Sequence, residues 1–248
     1  MEDKKLSLGS WITVGHPSIA EVMATAGFDW LCIDIEHTVI DYNTVQQLII
    51  AIQSKNLRAY VRVGENNQRI IKRVLDAGAD GIIVPSVNSL EEAKKAVDAV
   101  NYPPLGSRGV GLARAQGYGF DFENYRDGKA KAISLILQIE HIDAISELDQ
   151  IIGLSGVSGT FIGPYDLSGS IGKLGAFDDP AVKEVLSQYE KVALQQDKFM
   201  GIHVVQPDYK FVQQKIDLGY NFIAFSFDAF FLGHAIRAQL DNLKTNNL

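Results

Sequence analysis

The chain has one cysteine, Cys32, in 248 residues. A single cysteine excludes an intrachain disulfide and a multi-cysteine zinc site. Cys32 lies in an apolar run with no activating group beside it, which supports a packed core thiol over a nucleophile. No stretch approaches the roughly 18 consecutive apolar residues of a membrane-spanning helix. The start, MEDKKLSLGS, is charged and lacks an apolar signal core, so a cytoplasmic protein is expected. Basic residues are in deficit: 23 Lys and Arg against 30 Asp and Glu leave a net charge of −7. A mildly acidic chain with scattered lysines argues against a grip on nucleic-acid phosphates and favours a small-molecule partner. A P-loop, a G-x-G-x-x-G fingerprint and a nucleophile elbow are also lacking, and no nucleotide cofactor is expected.

What is present is a regular alternation. Eight short apolar runs occupy 7–14, 30–36, 58–63, 81–87, 134–140, 159–164, 199–205 and 222–228. They are nearly continuous in Ile, Val, Leu and Phe, as strands buried on both faces should be. Stretches of helical spacing lie between them, such as QRIIKRVLDAG, LEEAKKAVDAV and YKFVQQKIDLG. Gly27, Gly78 and Gly219 fall where helix C-caps belong. Strict alternation demands parallel strands with crossover helices. Eight such units in about 250 residues predict a (β/α)8 TIM barrel of the α/β class, one domain over 1–248, rather than a doubly wound open sheet. The connection from about Tyr102 to Lys131 breaks the rhythm and is too long for an ordinary loop. Within it Val110, Leu112, Tyr118 and Phe120 read as packing residues.

Catalytic groups of such barrels stand at strand C-terminal ends and in the loops that follow. There the sequence places Asp34, Glu36 and His37 on the second strand and Arg62 on the third. Gln138 and Glu140 end the fifth strand, and Asp166 follows the sixth. His203 and Asp228 mark the seventh and eighth. Glu140 and Asp166 could hold a hard divalent cation, with water and substrate completing its shell, or they could cap the next helices. Arg62 could clamp a substrate carboxylate or pair with Glu36 or Glu140. Asp34 and His37 have the spacing of an Asp–His general base, in itself a weak signal. Glu36 is expected to pair with an arginine. No lysine is well placed for a Schiff base: the candidates fall on helix patterns or ahead of strands.

The segments CIDIEH, YVRV, GADGIIVPSV, YPPLGSRGVG, LQIE and FIGPYDLSGSIG, in this order and spacing, resemble the HpcH/HpaI aldolase family over about residues 7 to 240. The resemblance implies a class II pyruvate aldolase, a carbon–carbon lyase that splits a 4-hydroxy-2-oxo acid into an aldehyde and pyruvate by way of a metal-held enolate. It implies that Glu140 and Asp166 bind Mg, Mn or Co, and that Asp34–His37 is the acid/base dyad. Arg62 would contact the pyruvate moiety, Gln138 would flank the metal shell, and the backbone at Gly163, Pro164, Tyr165 and Asp166 would hold the carboxylate. It further implies a homohexamer, a trimer of dimers exchanging the C-terminal helix, with the 104–131 loop lining the aldehyde end. Tyr165 stands where alanine is common in the family, and His141 where threonine is common. The alternatives are a CoA-ester lyase of the citrate lyase β or malyl-CoA lyase type, and a non-catalytic barrel that binds a keto acid.

Overall fold

The computed structural model describes residues 5–247. The eight apolar runs form β1 (Ser7–Ile12), β2 (Trp30–Asp34), β3 (Arg58–Arg62), β4 (Gly81–Val84), β5 (Ser134–Ile139), β6 (Gly159–Ile162), β7 (Phe199–Val204) and β8 (Phe222–Phe227). Each pairs in parallel with the next and β8 returns to β1, giving one closed (β/α)8 barrel as expected. The helices are α1 (Pro17–Ala24), α2 (Tyr42–Gln53), α3 (Gln68–Asp76), α4 (Leu90–Val100), α5 (Phe122–Asp127), α6 (Ile142–Ser146), α7 (Leu148–Gly153), α8 (Pro164–Ser170), α9 (Pro180–Leu194), α10 (Tyr209–Asp217) and α11 (Asp228–Asn247).

Local chemistry sets the helix boundaries. Asp41, Asn67, Ser89, Asp179 and Asp208 each accept a hydrogen bond from a first-turn backbone N–H of α2, α3, α4, α9 and α10, satisfying donors that have no partner inside the helix. Gly27, Gly78 and Gly219 take φ of 95°, 104° and 92°, the left-handed conformation that ends a helix cheaply only at glycine.

The barrel interior is filled by aromatic rings set against glycines. Trp30 and Phe222 stack with centroids 4.4 Å apart, and Tyr60 tilts against both. A methyl group on Gly9 would lie 2.1 Å from the Trp30 ring, and one on Gly81 2.2 Å from Tyr60, so only glycine admits these rings. Above them Trp11, Cys32, Ile83, Ile136 and Phe161 complete the interior. Cys32 is fully buried and burial pushes its thiol pKa well up, which makes it the core thiol the sequence suggests. A second apolar layer of Ile, Leu and Val joins the strands to the helices. No helix among the described residues is long and apolar enough to cross a membrane.

The long connection corrects an expectation. Val110, Leu112, Tyr118 and Phe120 are exposed, Phe120 at 98%. The segment is anchored instead by Arg108, Gln116 and Tyr125, all buried. Arg108 donates to Asp76 at 2.9 Å and lies 4.7 Å over the Tyr102 ring, and Gln116 donates to the same Asp76 oxygen at 3.0 Å. An apolar side chain is buried only where a neighbour covers it, and here a polar hub on α3 takes that role. Leu232, Ile236, Leu240 and Leu243 of α11 are likewise exposed.

Candidate active site

At the C-terminal rim two cavities meet at Asp166. One, of about 590 Å³, is lined by Trp11, Arg62, Gln138, Phe161, Gly163, Pro164, Tyr165, Asp166, Phe177 and His203, with Leu186, Phe211 and others farther out. The other, of about 320 Å³, is lined by polar residues throughout: Glu36, His37, Ser86, Asn88, Glu140, His141, Asp166 and Ser170. Of the residues singled out at the strand ends, all but Asp34 and Asp228 line one of the two cavities; Asp34 lies behind Arg62, and Asp228 is used elsewhere. Its buried carboxylate is spent on the backbone N–H groups of Thr13 and Val14, at 2.8–3.0 Å, and closes β8 onto β1. No residue of 104–131 lines either cavity, so within this chain that segment does not form the aldehyde end.

Glu140 follows β5 and its carboxylate is held from two sides. Oε1 accepts from the Ser86 backbone N–H at 2.7 Å and from Ser86 Oγ at 2.8 Å, and Oε2 accepts from Gln138 Nε2. Ser86 can do this because its φ is +52°, a conformation that non-glycine residues adopt rarely. Glycine at 163 lets Glu140 come close, since a Cβ there would sit 3.0 Å from Glu140 Cβ and 3.1 Å from its Oε2 and would push the side chain aside by a few tenths of an ångström. Glu140 therefore caps no helix. His141 caps α6 instead, accepting from the Asp143 N–H at 3.2 Å. Asp166 lies in the first turn of α8, whose N-cap is Gly163 with no side-chain hydrogen bond. The Gly163 N–H is committed to the Ile139 carbonyl at 3.0 Å and Pro164 has none, which leaves Tyr165 and Asp166 as the first-turn donors.

Of the two readings of Arg62, the structure shows the ion pairing. Nε and Nη2 grip Asp34 at 3.0 and 2.7 Å, Nε lies 3.1 Å from Glu36 Oε2, and the guanidinium plane sits 4.4 Å over Trp11. Glu36 is thus the arginine partner expected of it. The Asp34–His37 pairing takes a different form from the expected one. Asp34 Oδ1 accepts the backbone N–H of Glu36 at 3.0 Å and of His37 at 3.4 Å. The His37 ring, 68% exposed, has Glu36 Oε2 3.6 Å from its Nε2.

The donor set suits a hard cation. Among the described residues no three His, Cys, Asp or Glu side chains are placed to enclose a metal. Mg-type ions take one or two carboxylates and complete their shell with water and substrate oxygens. Negative charge is concentrated here: Glu36 has its pKa raised to about 7 by burial first and, against Arg62, by Glu140, Asp34 and Asp166. Gln138 Oε1 is buried without a partner beside Glu140, a further oxygen donor. Glu140 and Asp166, with Gln138 alongside, are the residues that fit such an ion.

Comparison with known proteins settles the class. The family described as HpcH/HpaI aldolase/citrate lyase matches residues 7–235. The chain belongs to the HpcH/HpaI aldolase family. It is 36% identical over 235 residues to a hydroxypyruvate/pyruvate aldolase of Agrobacterium fabrum, covering 94% of this chain and 88% of the relative. It is 36% identical over 245 residues to a 2-keto-3-deoxy-L-rhamnonate aldolase of Klebsiella pneumoniae, covering 97% and 90%. A solved family member from Burkholderia cenocepacia superposes with a TM-score of 0.92 at 31% identity, covering 98% and 96%. Like its aldolase relatives, the HpcH/HpaI member described here is a carbon–carbon lyase.

Sequence reasoning missed Ser86, Trp11 and Phe177. PSV after the fourth strand was a signal for Ser86, a polar residue at a rim position. The other two are aromatic, and nothing in their spacing separates a pocket wall from core.

Proposed function

We propose that the enzyme cleaves, and in reverse forms, a 4-hydroxy-2-oxo acid, releasing an aldehyde and a 2-oxo acid of the pyruvate type, with Mg, Mn or Co held by Glu140 and Asp166. The observation that carries this reading is the meeting of two unlike cavities at Asp166. Arg62, Gln138, Tyr165 and Asp166 line one of them, and His37 lines the other. A divalent cation, when bound, supplies Lewis-acid polarisation of the C2 carbonyl.

The chain's own groups do the rest. The open edge of Arg62 meets the oxo-acid oxygens and opposes the charge that gathers as the enolate forms. Gln138 and the α8 amides orient the carboxylate and carbonyl. His37 takes the C4 hydroxyl proton, and the C3–C4 bond breaks with its electron pair passing to the C2 oxygen as the enolate. A proton delivered to C3 from solvent completes the 2-oxo acid, His37 giving up its own proton to solvent. Asp34 keeps this geometry by fixing Arg62 and by anchoring the turn that carries His37. The names of the Agrobacterium and Klebsiella relatives extend the donor to pyruvate or hydroxypyruvate and the product to a sugar-derived aldehyde. We place the enzyme in the cytoplasm, as a homohexamer in which the apolar stripe of α11 is covered by a second copy.

The test is solvent exchange. Metal-stripped protein with pyruvate in deuterated water should show no loss of the methyl proton signal until Mn or Mg is added. Absence of exchange with every divalent metal tried would remove the reading.

A further inference from the structure

Among the described residues one carboxylate stands against the His37 ring, and it belongs to Glu36. Glu36 Oε2 lies 3.6 Å from His37 Nε2, and both side chains line the smaller, polar cavity. Nδ1 of the ring makes no hydrogen bond and no ion pair among the described residues.

Asp34, three positions before His37, has nothing left to offer the ring. Its Oδ1 accepts from Arg62 Nε at 3.0 Å and from the backbone N–H groups of Glu36 and His37 at 3.0 and 3.4 Å. Its Oδ2 accepts from Arg62 Nη2 at 2.7 Å. Those donors fill the roughly four lone-pair directions of a carboxylate.

Glu36 is the opposite case. Arg62 Nε lies 3.1 Å from Glu36 Oε2, but that nitrogen carries a single hydrogen and gives it to Asp34. The contact is therefore Coulombic, and Oε2 has no hydrogen-bond donor among the described residues. The His37 ring is 68% exposed. A movement of less than about 1 Å brings its Nε2 to the roughly 2.8 Å of a charge-assisted hydrogen bond. Burial raises the Glu36 pKa most, Arg62 opposes it, and Glu140, Asp34 and Asp166 add to the rise, to about 7. Positive charge placed on Glu140 and Asp166 removes two of those repulsions and favours the carboxylate form.

We propose that Glu36 is the positioning residue of the base: it accepts the His37 Nε2 hydrogen, turns Nδ1 to the substrate's C4 hydroxyl, and holds the imidazolium that forms. The inference rests on the aldolase reading. The proton passes from the C4 oxygen to Nδ1, and the O–H electron pair becomes the second bond of the aldehyde carbonyl. The C3–C4 pair goes to the enolate, and the imidazolium later returns its proton to solvent. Glu36 stays ionised throughout and fixes which nitrogen is the base.

The experiment reads two reactions at saturating Mg: cleavage of 4-hydroxy-2-oxobutanoate, and exchange of the pyruvate methyl protons in deuterated water. Both pass through the enolate and need Arg62, but only cleavage presents a C4 hydroxyl to His37. Each is measured in wild type, Glu36→Gln, His37→Ala and the double variant. In Glu36→Gln, kcat for cleavage should fall about tenfold further than kcat for exchange, with KM within about twofold, a share of the roughly 10²–10⁴ that a general base supplies. In the His37→Ala background the same substitution should lower both reactions equally, since no ring remains to be oriented. Thermal melting checks folding, and Glu36→Asp, which withdraws the carboxylate by one methylene, replaces Glu36→Gln if that variant does not fold. Equal losses of cleavage and exchange in the single variant, or a selective loss that persists without His37, overturn the role of Glu36 and leave the aldolase reading standing. Absence of exchange in wild type with both Mg and Mn overturns the aldolase reading, and this inference with it.

Discussion

Arg62 holds Asp34 through two parallel hydrogen bonds, 3.0 Å and 2.7 Å long, and the two residues are register partners on β3 and β2. This pair, with Trp11 beneath the guanidinium, ties three strands to one side of the site. Arg62→Lys keeps the charge but cannot reproduce the fork. Cleavage should fall about hundredfold in kcat/KM, read by pyruvate release. Asp34→Ala removes the two-pronged partner of a mostly buried cation and leaves it Glu36 alone, so it should cost about 2–3 kcal/mol of stability in denaturant unfolding, less than a fully unpaired buried charge.

Glu140→Gln and Asp166→Asn each remove one of the two negative charges offered to the cation. Calorimetric titration with Mn should show an affinity loss beyond the 10–100-fold typical of outer-shell changes. The fold should survive Asp166→Asn, because Asp166 is exposed and caps nothing.

Ser86 is testable through its backbone. Ser86→Gly and Ser86→Ala both lose the hydroxyl bond to Glu140, but only glycine accepts a φ of +52° without strain. The glycine variant should be the more stable by about 1 kcal/mol. Both should bind Mn more weakly than wild type, since Glu140 loses one of its anchors.

Glu36 gives a signed pH dependence. Its pKa, raised from 4.5 to about 7 by burial and by Glu140, Asp34 and Asp166, penalises the ionised form in the fold. In metal-free protein the contribution of Glu36 is fully present below about pH 4.5 and is lost as pH rises through 7. Unfolding curves from pH 4.5 to 8 in chelator should show that loss. Glu36→Gln should flatten it, and added Mn, by neutralising the neighbouring carboxylates, should reduce it.

His37→Ala should slow aldol cleavage at least about a hundredfold, within the range of general-base catalysis, while Mn affinity changes little. Equal cleavage rates in variant and wild type would leave His37 a surface residue of the turn.

Much of the architecture was legible in the chain. Continuous apolar runs marked each strand because a parallel barrel strand is buried on both faces, and glycines 27, 78 and 219 marked helix ends because their φ is positive. Glu140 and Asp166 were legible as rim acids from strand order alone. The pairings were less so. Asp34 and His37 are close in sequence, yet Asp34 bonds an arginine 28 positions away, because barrel closure sets β2 against β3 and a buried guanidinium attracts a carboxylate more strongly than an exposed imidazole does. Val110, Leu112, Tyr118 and Phe120 looked like core by composition, but they stand exposed among the described residues.

By itself, then, the sequence determined the barrel, its strand order and which acids stand at its rim, since hydrophobic period and capping act over a few residues. Only the tertiary structure decided which carboxylate faces Arg62, why Ser86 adopts a left-handed turn toward Glu140, and that His203 stands in the cavity wall with no hydrogen bond to its Nε2 among the described residues. Those outcomes depend on contacts between strands far apart in the chain, and on burial that no local pattern encodes.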